Sequence, residues 1–157
     1  EAGSQSNEPV ISYDLLPTVA DIAGATDALP DELDGRSIRH VLKNPKSKIQ
    51  RPPEGLVFHF PHYNVCGLNE PHSAIRIGDY KLLKFTSSNR ELLFNVADDP
   101  GESEDLFEAN IALAGKLNAE LETYLDAVDA EKPEESNSWK NGRSGATKTL
   151  FLSRYPK

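Results

Sequence analysis

The chain is 157 residues long and carries 17 Lys and Arg against 25 Asp and Glu, a net charge of −8. That acidic balance repels polyanions on average, so nucleic acid is excluded as a partner and only a local basic pocket is left for an anion. No apolar run approaches the roughly 20 residues that span a bilayer, the opening residues show no signal-peptide pattern, and Cys66, the single cysteine, excludes an internal disulfide or a thiolate metal cluster.

The length suits one compact domain. Methionine is absent, position 1 included, so the expectation is a functional unit that extends beyond this sequence. After the polar stretch 1–9, a short β-prone run Val10-Ile11-Ser12-Tyr13 leads into a helix expected over 15–23. Asp14 is its expected N-cap, Pro17 falls in the first turn and Gly24 is the left-handed stop. Leu16, Val19, Ala20 and Ala23 share one face, which is expected to pack on a core. A loop with Pro30 and Asp34-Gly35 precedes a helical turn over 37–42, and 43–55 reads as a Pro- and Lys-rich connector.

From residue 56 the pattern becomes strand-like: Leu56–Phe60, Ala74–Ile77, Tyr80–Phe85 and Glu91–Val96. Gly78-Asp79 is a hairpin signal, since glycine supplies the positive φ of a tight turn. A second turn is expected at 87–89. Asp98 to Glu102 breaks the sheet, and a long helix is expected from Ile111 to about Asp129, with Leu113, Leu117, Leu121, Tyr124, Leu125 and Val128 on one stripe. The expected fold class is α+β, a small antiparallel sheet of about four strands packed against a long C-terminal helix. The tail over 138–157 is polar and loosely ordered in composition, with one weak apolar patch at Leu150-Phe151-Leu152.

The densest cluster of chemical side chains is His59-Phe60-Pro61-His62-Tyr63, leaving a strand for a loop that contains Cys66 and ends at Pro71-His72-Ser73. Imidazoles in such a loop suit proton transfer, metal ligation or hydrogen bonding to an anion. A core role for His59 and a surface role for His62 fit the spacing equally well. Zinc would need His72 and Cys66 as further ligands. Arg76 has the fork geometry for a sulfate or carboxylate, or is a solvated strand residue. The acidic run Asp98, Asp99, Glu102, Glu104 and Asp105 fits no EF-hand spacing and reads as a charged turn with helix-capping duties.

These segments, in this order, resemble the C-terminal region of the microbial, arylsulfatase-like sulfatases. Asp14-Leu15-Leu16-Pro17-Thr18 with Gly24 is similar to a D-x-x-P-T…G helix, and Asp34-Gly35-Arg36-Ser37-Ile38 to a D-G-x-S-L turn. His59 to Tyr63, then Ala74-Ile75-Arg76-Ile77-Gly78-Asp79-Tyr80-Lys81-Leu82, resembles H-Y-P-H-Y…A-I-R-x-G-D-Y-K-L. Glu91 to Val96 with Asp99-Pro100-Gly101-Glu102 is similar to E-L-Y-N-L…D-P-G-E. The likeness runs from about Glu8 to Asn137.

The resemblance implies a sulfuric ester hydrolase acting on a sulfated carbohydrate, with calcium and a formylglycine nucleophile. Both would sit in a missing N-terminal catalytic domain, the main partner of this chain, because no C-x-P/A-x-R motif occurs here and Cys66 is followed by Gly67-Leu68-Asn69-Glu70. Residues 1–50 would then be the end of that α/β catalytic domain, and 51–137 a C-terminal subdomain. The chain itself would carry no catalytic or metal-binding residue and would be inactive alone. Its expected substrate-binding residues are His62 and His72, then Arg76 and His59. A periplasmic or extracellular location is implied. A free-standing carbohydrate-binding or interaction module, or a related alkaline-phosphatase-type hydrolase, are the alternatives.

Overall fold

A computed structural model describes residues 3–51, 55–62 and 70–133. The tail over 138–157, with its apolar patch, lies outside the described residues. The chain divides into two compact units, Glu1–Pro52 and Pro53–Lys157.

In the first unit a 3₁₀ turn at Ser12–Asp14 runs directly into α1, Leu15–Ala23, which Gly24 ends at φ 69°. A short second helix, α2, covers Arg39–Lys43. Two expectations are corrected here. Asp14 makes no side-chain cap for α1. Its carboxylate, 1% exposed, turns instead to stronger donors. Nη1 and Nη2 of Arg51 donate to its two oxygens at 3.1 and 2.7 Å, and the amides of Ile11 and Arg36 each donate at 3.0 Å.

Nor does the apolar stripe of α1 pack inward. Leu15, Leu16, Val19 and Ile22 are 56–63% exposed, while Pro17, Thr18 and Ala20 are buried. The inward face is Asp14, Thr18 and Asp21, at helical spacing of four and three. The Thr18 hydroxyl donates to the Asp14 carbonyl at 2.6 Å and accepts from the Ile38 amide at 3.0 Å. Asp21 accepts from the Ser37 hydroxyl at 2.6 Å and from Nη1 of Arg39 at 2.8 Å. The face is polar because its task is to hold the segment 35–39. Gly35 completes the fit, since a Cβ there would stand 2.0 Å from the Tyr13 carbonyl oxygen.

The second unit is an antiparallel sheet of β1 Leu56–Phe60, β2 His72–Ile77, β3 Tyr80–Phe85 and β4 Glu91–Asn95, in chain order. Strand β2 starts two residues earlier than expected, because His72 and Ser73 continue the ladder opposite Phe60 and His59. Gly78-Asp79 makes the two-residue turn between β2 and β3, with φ +60° at Gly78. Ile75, Leu82 and Leu93 lie side by side on one face. They bury against Ala114, Leu117 and Leu121 of α3, Ile111–Ala127. Ala114 belongs to that stripe although its small side chain hid it in the sequence. Val128 does not; it follows the last turn and is exposed. Lys84 fastens the helix at the polar end of this face, donating to Asn118 at 3.1 Å and Glu122 at 2.6 Å.

The opposite face is equally apolar, with Ala74, Leu83, Phe85, Leu92 and Phe94 buried together. Residues of both faces alternate along each strand, as the period of two requires.

Candidate functional site

The pleat decides how the histidines are grouped. In the register of β1, β2 and β3, Phe60, His72 and Phe85 stand directly opposite one another. Cross-strand neighbours on one face are close enough for their rings to touch. Phe60 and His72 have centroids 5.6 Å apart, and His72 and Phe85 5.8 Å, both pairs tilted. His62, just beyond β1, adds its ring edge-on to Phe60 at 5.7 Å and 84°. Four rings therefore form a continuous row, His62-Phe60-His72-Phe85, at the end of the sheet where the loop begins.

His72 is held firmly in that row. Its Nδ1 donates at 2.8 Å to the Glu70 carbonyl, which has lone pairs only and so assigns the proton to Nδ1 in the neutral ring. In the neutral ring Nε2 is then the acceptor, and in the imidazolium its N–H is a second donor. Glu70 is itself tied to the turn after β3, its carboxylate accepting from the Ser88 amide, and the Thr86 amide donates to the Pro71 carbonyl at 2.9 Å.

His59 occupies the next row, on the face that carries α3. Its Nε2 lies 2.7 Å from the Glu131 carbonyl and its Nδ1 2.8 Å from the Ser73 hydroxyl. By the same reasoning Nε2 bears the proton and the Ser73 hydroxyl donates to Nδ1. Both ring nitrogens are thus used in joining β1, β2 and the segment after α3. Arg76 shares the face of His72 but lies four residues along β2, about 13 Å away at the usual strand rise. Its Nε donates to the Gly78 carbonyl at 3.2 Å. Of the expected substrate-binding residues, the structure groups His62 with His72, places His59 on the other face, and sets Arg76 at the far end of the strand.

Sequence inspection missed Phe60 and Phe85 as members of the histidine row. Strand alternation was the available signal, since it sends His59 and Phe60 to opposite faces as soon as β1 runs through Phe60. Cys66 and the other residues of 63–69 lie outside the described residues.

The acidic turn after β4 is occupied by its own amides. Asp99 accepts from the Ser103 and Glu104 amides at 2.6 and 2.9 Å and from the Ser103 hydroxyl at 3.0 Å. The Glu104 amide foremost, with the Ser103 donors, holds its carboxyl below the usual carboxylate range. Asp105 accepts from the Phe107 amide at 3.0 Å and the Leu93 amide at 3.1 Å; the helix-capping expected of this run is not found, since α3 has no side-chain cap. Among the described residues, no group of three or more His, Cys, Asp or Glu side chains is placed to hold a metal ion. No helix among them is long and apolar enough to cross a membrane.

Residues 1–131 match the family described as N-sulphoglucosamine sulphohydrolase, C-terminal. The chain belongs to this sulfatase family. A Delta 4,5-hexuronate-2-O-sulfatase of Bacteroides thetaiotaomicron is 32% identical over 115 residues, which is 73% of this chain and 22% of that protein. An N-acetylglucosamine-6-O-sulfatase of the same organism is 28% identical over 108 residues, 68% of this chain and 19% of its own length. The solved structure of BT4656 in complex with its substrate D-glucosamine-2-N,6-O-disulfate superposes with a TM-score of 0.66 and 25% identity, over 87% of this chain and 28% of that one. The chain thus spans about a fifth to a quarter of these relatives. The α+β architecture expected from the strand and helix pattern is the one found, shared with solved sulfatases.

Proposed function

We propose that this chain is the C-terminal part of an enzyme that hydrolyses sulfate esters on a carbohydrate, and that its histidine row lines one wall of the substrate cleft. The match of residues 1–131 to a sulfatase C-terminal family carries the reading. In it, calcium and a formylglycine nucleophile belong to the part of the relatives that this chain does not span. The described residues do not fit the calcium ion: none of their His, Cys, Asp and Glu side chains form a group of three or more placed to hold a metal, and the Asp14, Asp99 and Asp105 carboxylates accept from amides or a guanidinium. What this chain's own residues do is bind and orient: His62 and His72 present imidazole edges that hydrogen-bond sugar hydroxyls or sulfate oxygens.

The exposed apolar side of α1 supports assigning residues 1–50 to the catalytic domain. Four large aliphatic residues on one short helix, more than half exposed, are the surface expected of an element that buries them against further polypeptide. A periplasmic or extracellular location follows from the same family reading.

The test compares the polypeptide encoded by the whole reading frame with the 157-residue chain alone, measuring sulfate released from 2-O-sulfated hexuronate and 6-O-sulfated glucosamine saccharides. Release by the whole polypeptide and none by the chain alone is expected. Release by the chain alone would overturn the assignment of the catalytic groups. In the whole polypeptide, replacing both His62 and His72 by Ala is expected to lower kcat/KM about tenfold or more, as for loss of two ligand hydrogen bonds. Unchanged kcat/KM would remove both histidines from the cleft.

A further inference from the structure

We propose that Phe60 is the positioning residue of this site: its ring orders both imidazoles and is itself the platform on which a sugar ring stacks, with the imidazoles beside it. The sugar rests on the sulfatase reading above; the ordering of the imidazoles does not.

Phe60 is the only described residue whose ring meets both histidines, edge-on to His62 at 5.7 Å and tilted on His72 at 5.6 Å. Both separations lie in the 4.5–7 Å range of attractive ring pairs, and the 84° angle is the favoured edge-to-face form. The register places Phe60 there, opposite His72 in the ladder, so its contact with His72 is made within the sheet and His62 meets a ring that the sheet holds. Rigid elements hold a binding group more accurately than loops do.

Phe60 still has 37% of its surface exposed, apolar surface beside two imidazoles. An apolar ring flanked by a few convergent hydrogen-bonding groups is the usual make-up of a small-molecule site, and a sugar offers the match, with C–H groups on one face and hydroxyls at its rim. Phe58 is more exposed, at 46%. It lies opposite Ala74 instead of a histidine, so exposure alone does not single out Phe60.

The two imidazoles depend on Phe60 unequally. His72 is also held by Phe85 and by the Glu70 carbonyl. Among the described residues His62 has Phe60 alone. Loss of the Phe60 ring therefore frees His62 more than His72, an asymmetry that a general loosening of the sheet would not produce.

The experiment uses the whole polypeptide with Phe60→Leu, Phe60→Tyr and, as a control on the same strand and face, Phe58→Leu. Imidazole ¹⁵N and ring-proton resonances read the positioning directly. In Phe60→Leu the His62 ring signals are expected to lose their ring-current shift and the His72 signals to move less, while Phe60→Tyr and Phe58→Leu keep both. His62 signals unchanged in Phe60→Leu, or equal changes in Phe58→Leu, would overturn the proposal. Kinetics with D-glucosamine-2-N,6-O-disulfate and a 2-O-sulfated hexuronate disaccharide read the platform. KM is expected to rise roughly three- to tenfold in Phe60→Leu with kcat within about twofold, and to recover in Phe60→Tyr. An unchanged KM would remove the stacking role. Failure of the unaltered polypeptide to hydrolyse either probe would count against the sulfatase reading, leaving the resonance measurement to decide on Phe60.

Discussion

The two units of this chain are held together by different forces. The second has a sheet sealed on both faces by aliphatic and aromatic side chains, with Ile75, Leu82 and Leu93 meeting Ala114, Leu117 and Leu121. Each large one of these contributes about 1.5–3 kcal/mol on burial. Among the described residues of the first unit the buried apolar side chains are Pro17, Ala20, Val41 and Ile49, and the chain is tied instead by hydrogen bonds converging on Asp14, Thr18 and Asp21. Asp14 and Thr18 are the first and last residues of the D-x-x-P-T motif, and among the described residues their side chains bond within their own unit.

Breaking the centre of each unit separately tests this contrast. The largest effect is expected from Asp14→Ala, which leaves the Arg51 guanidinium, with its side chain 12% exposed, without its carboxylate. Removing one partner of such a buried pair costs about 3–5 kcal/mol. Amide hydrogen exchange in the whole polypeptide should show the loss of protection in 9–51 and little change in the strands. Equal loss in both units would dissolve the distinction. Leu82→Ala is the reverse experiment. A cavity between sheet and α3 costs about 2–5 kcal/mol and should raise exchange in β2, β3 and α3 while sparing the Asp14 network.

Acid sharpens the comparison further, with a smaller effect. Burial acts to raise the Asp14 carboxyl, but the bonds from Arg51, Arg36 and Ile11 outweigh it and leave the group below its ordinary 3.8. A carboxyl lowered in the folded state contributes stability above its unfolded value and loses it as the pH falls through the folded value. The first unit should therefore weaken as pH drops below about 3.8, and Asp14→Asn should remove part of that dependence. Asp21, lowered chiefly by the Ser37 hydroxyl and then by Arg39, titrates in the same unit and accounts for part of the remainder. Unfolding of 9–51 that is flat between pH 5 and 2 would contradict the assignment.

Much of the second unit was legible beforehand, because its signals are local. Gly78-Asp79 between two β-prone runs sets a two-residue hairpin, and that hairpin sets the register of β2 on β3. The helix over 111–127 announces itself through leucines at 113, 117 and 121. The first unit misled at one point for a definite reason. Apolar periodicity in α1 predicts burial of Leu16 and Val19, whereas Thr18 and Asp14 are buried there, satisfied by partners 20 to 37 residues away. Periodicity weighs hydrophobicity and is blind to hydrogen bonds made over that distance.

The histidine site divides in the same way. Residue types and their order along the chain suffice to mark out His59, His62 and His72 and to mark the sulfatase family. Which imidazoles lie together is settled only when β1 lies beside β2, since one step along a strand turns a side chain to the opposite face. That step sends His59 to Ser73 and Glu131, and leaves Phe60 between His62 and His72.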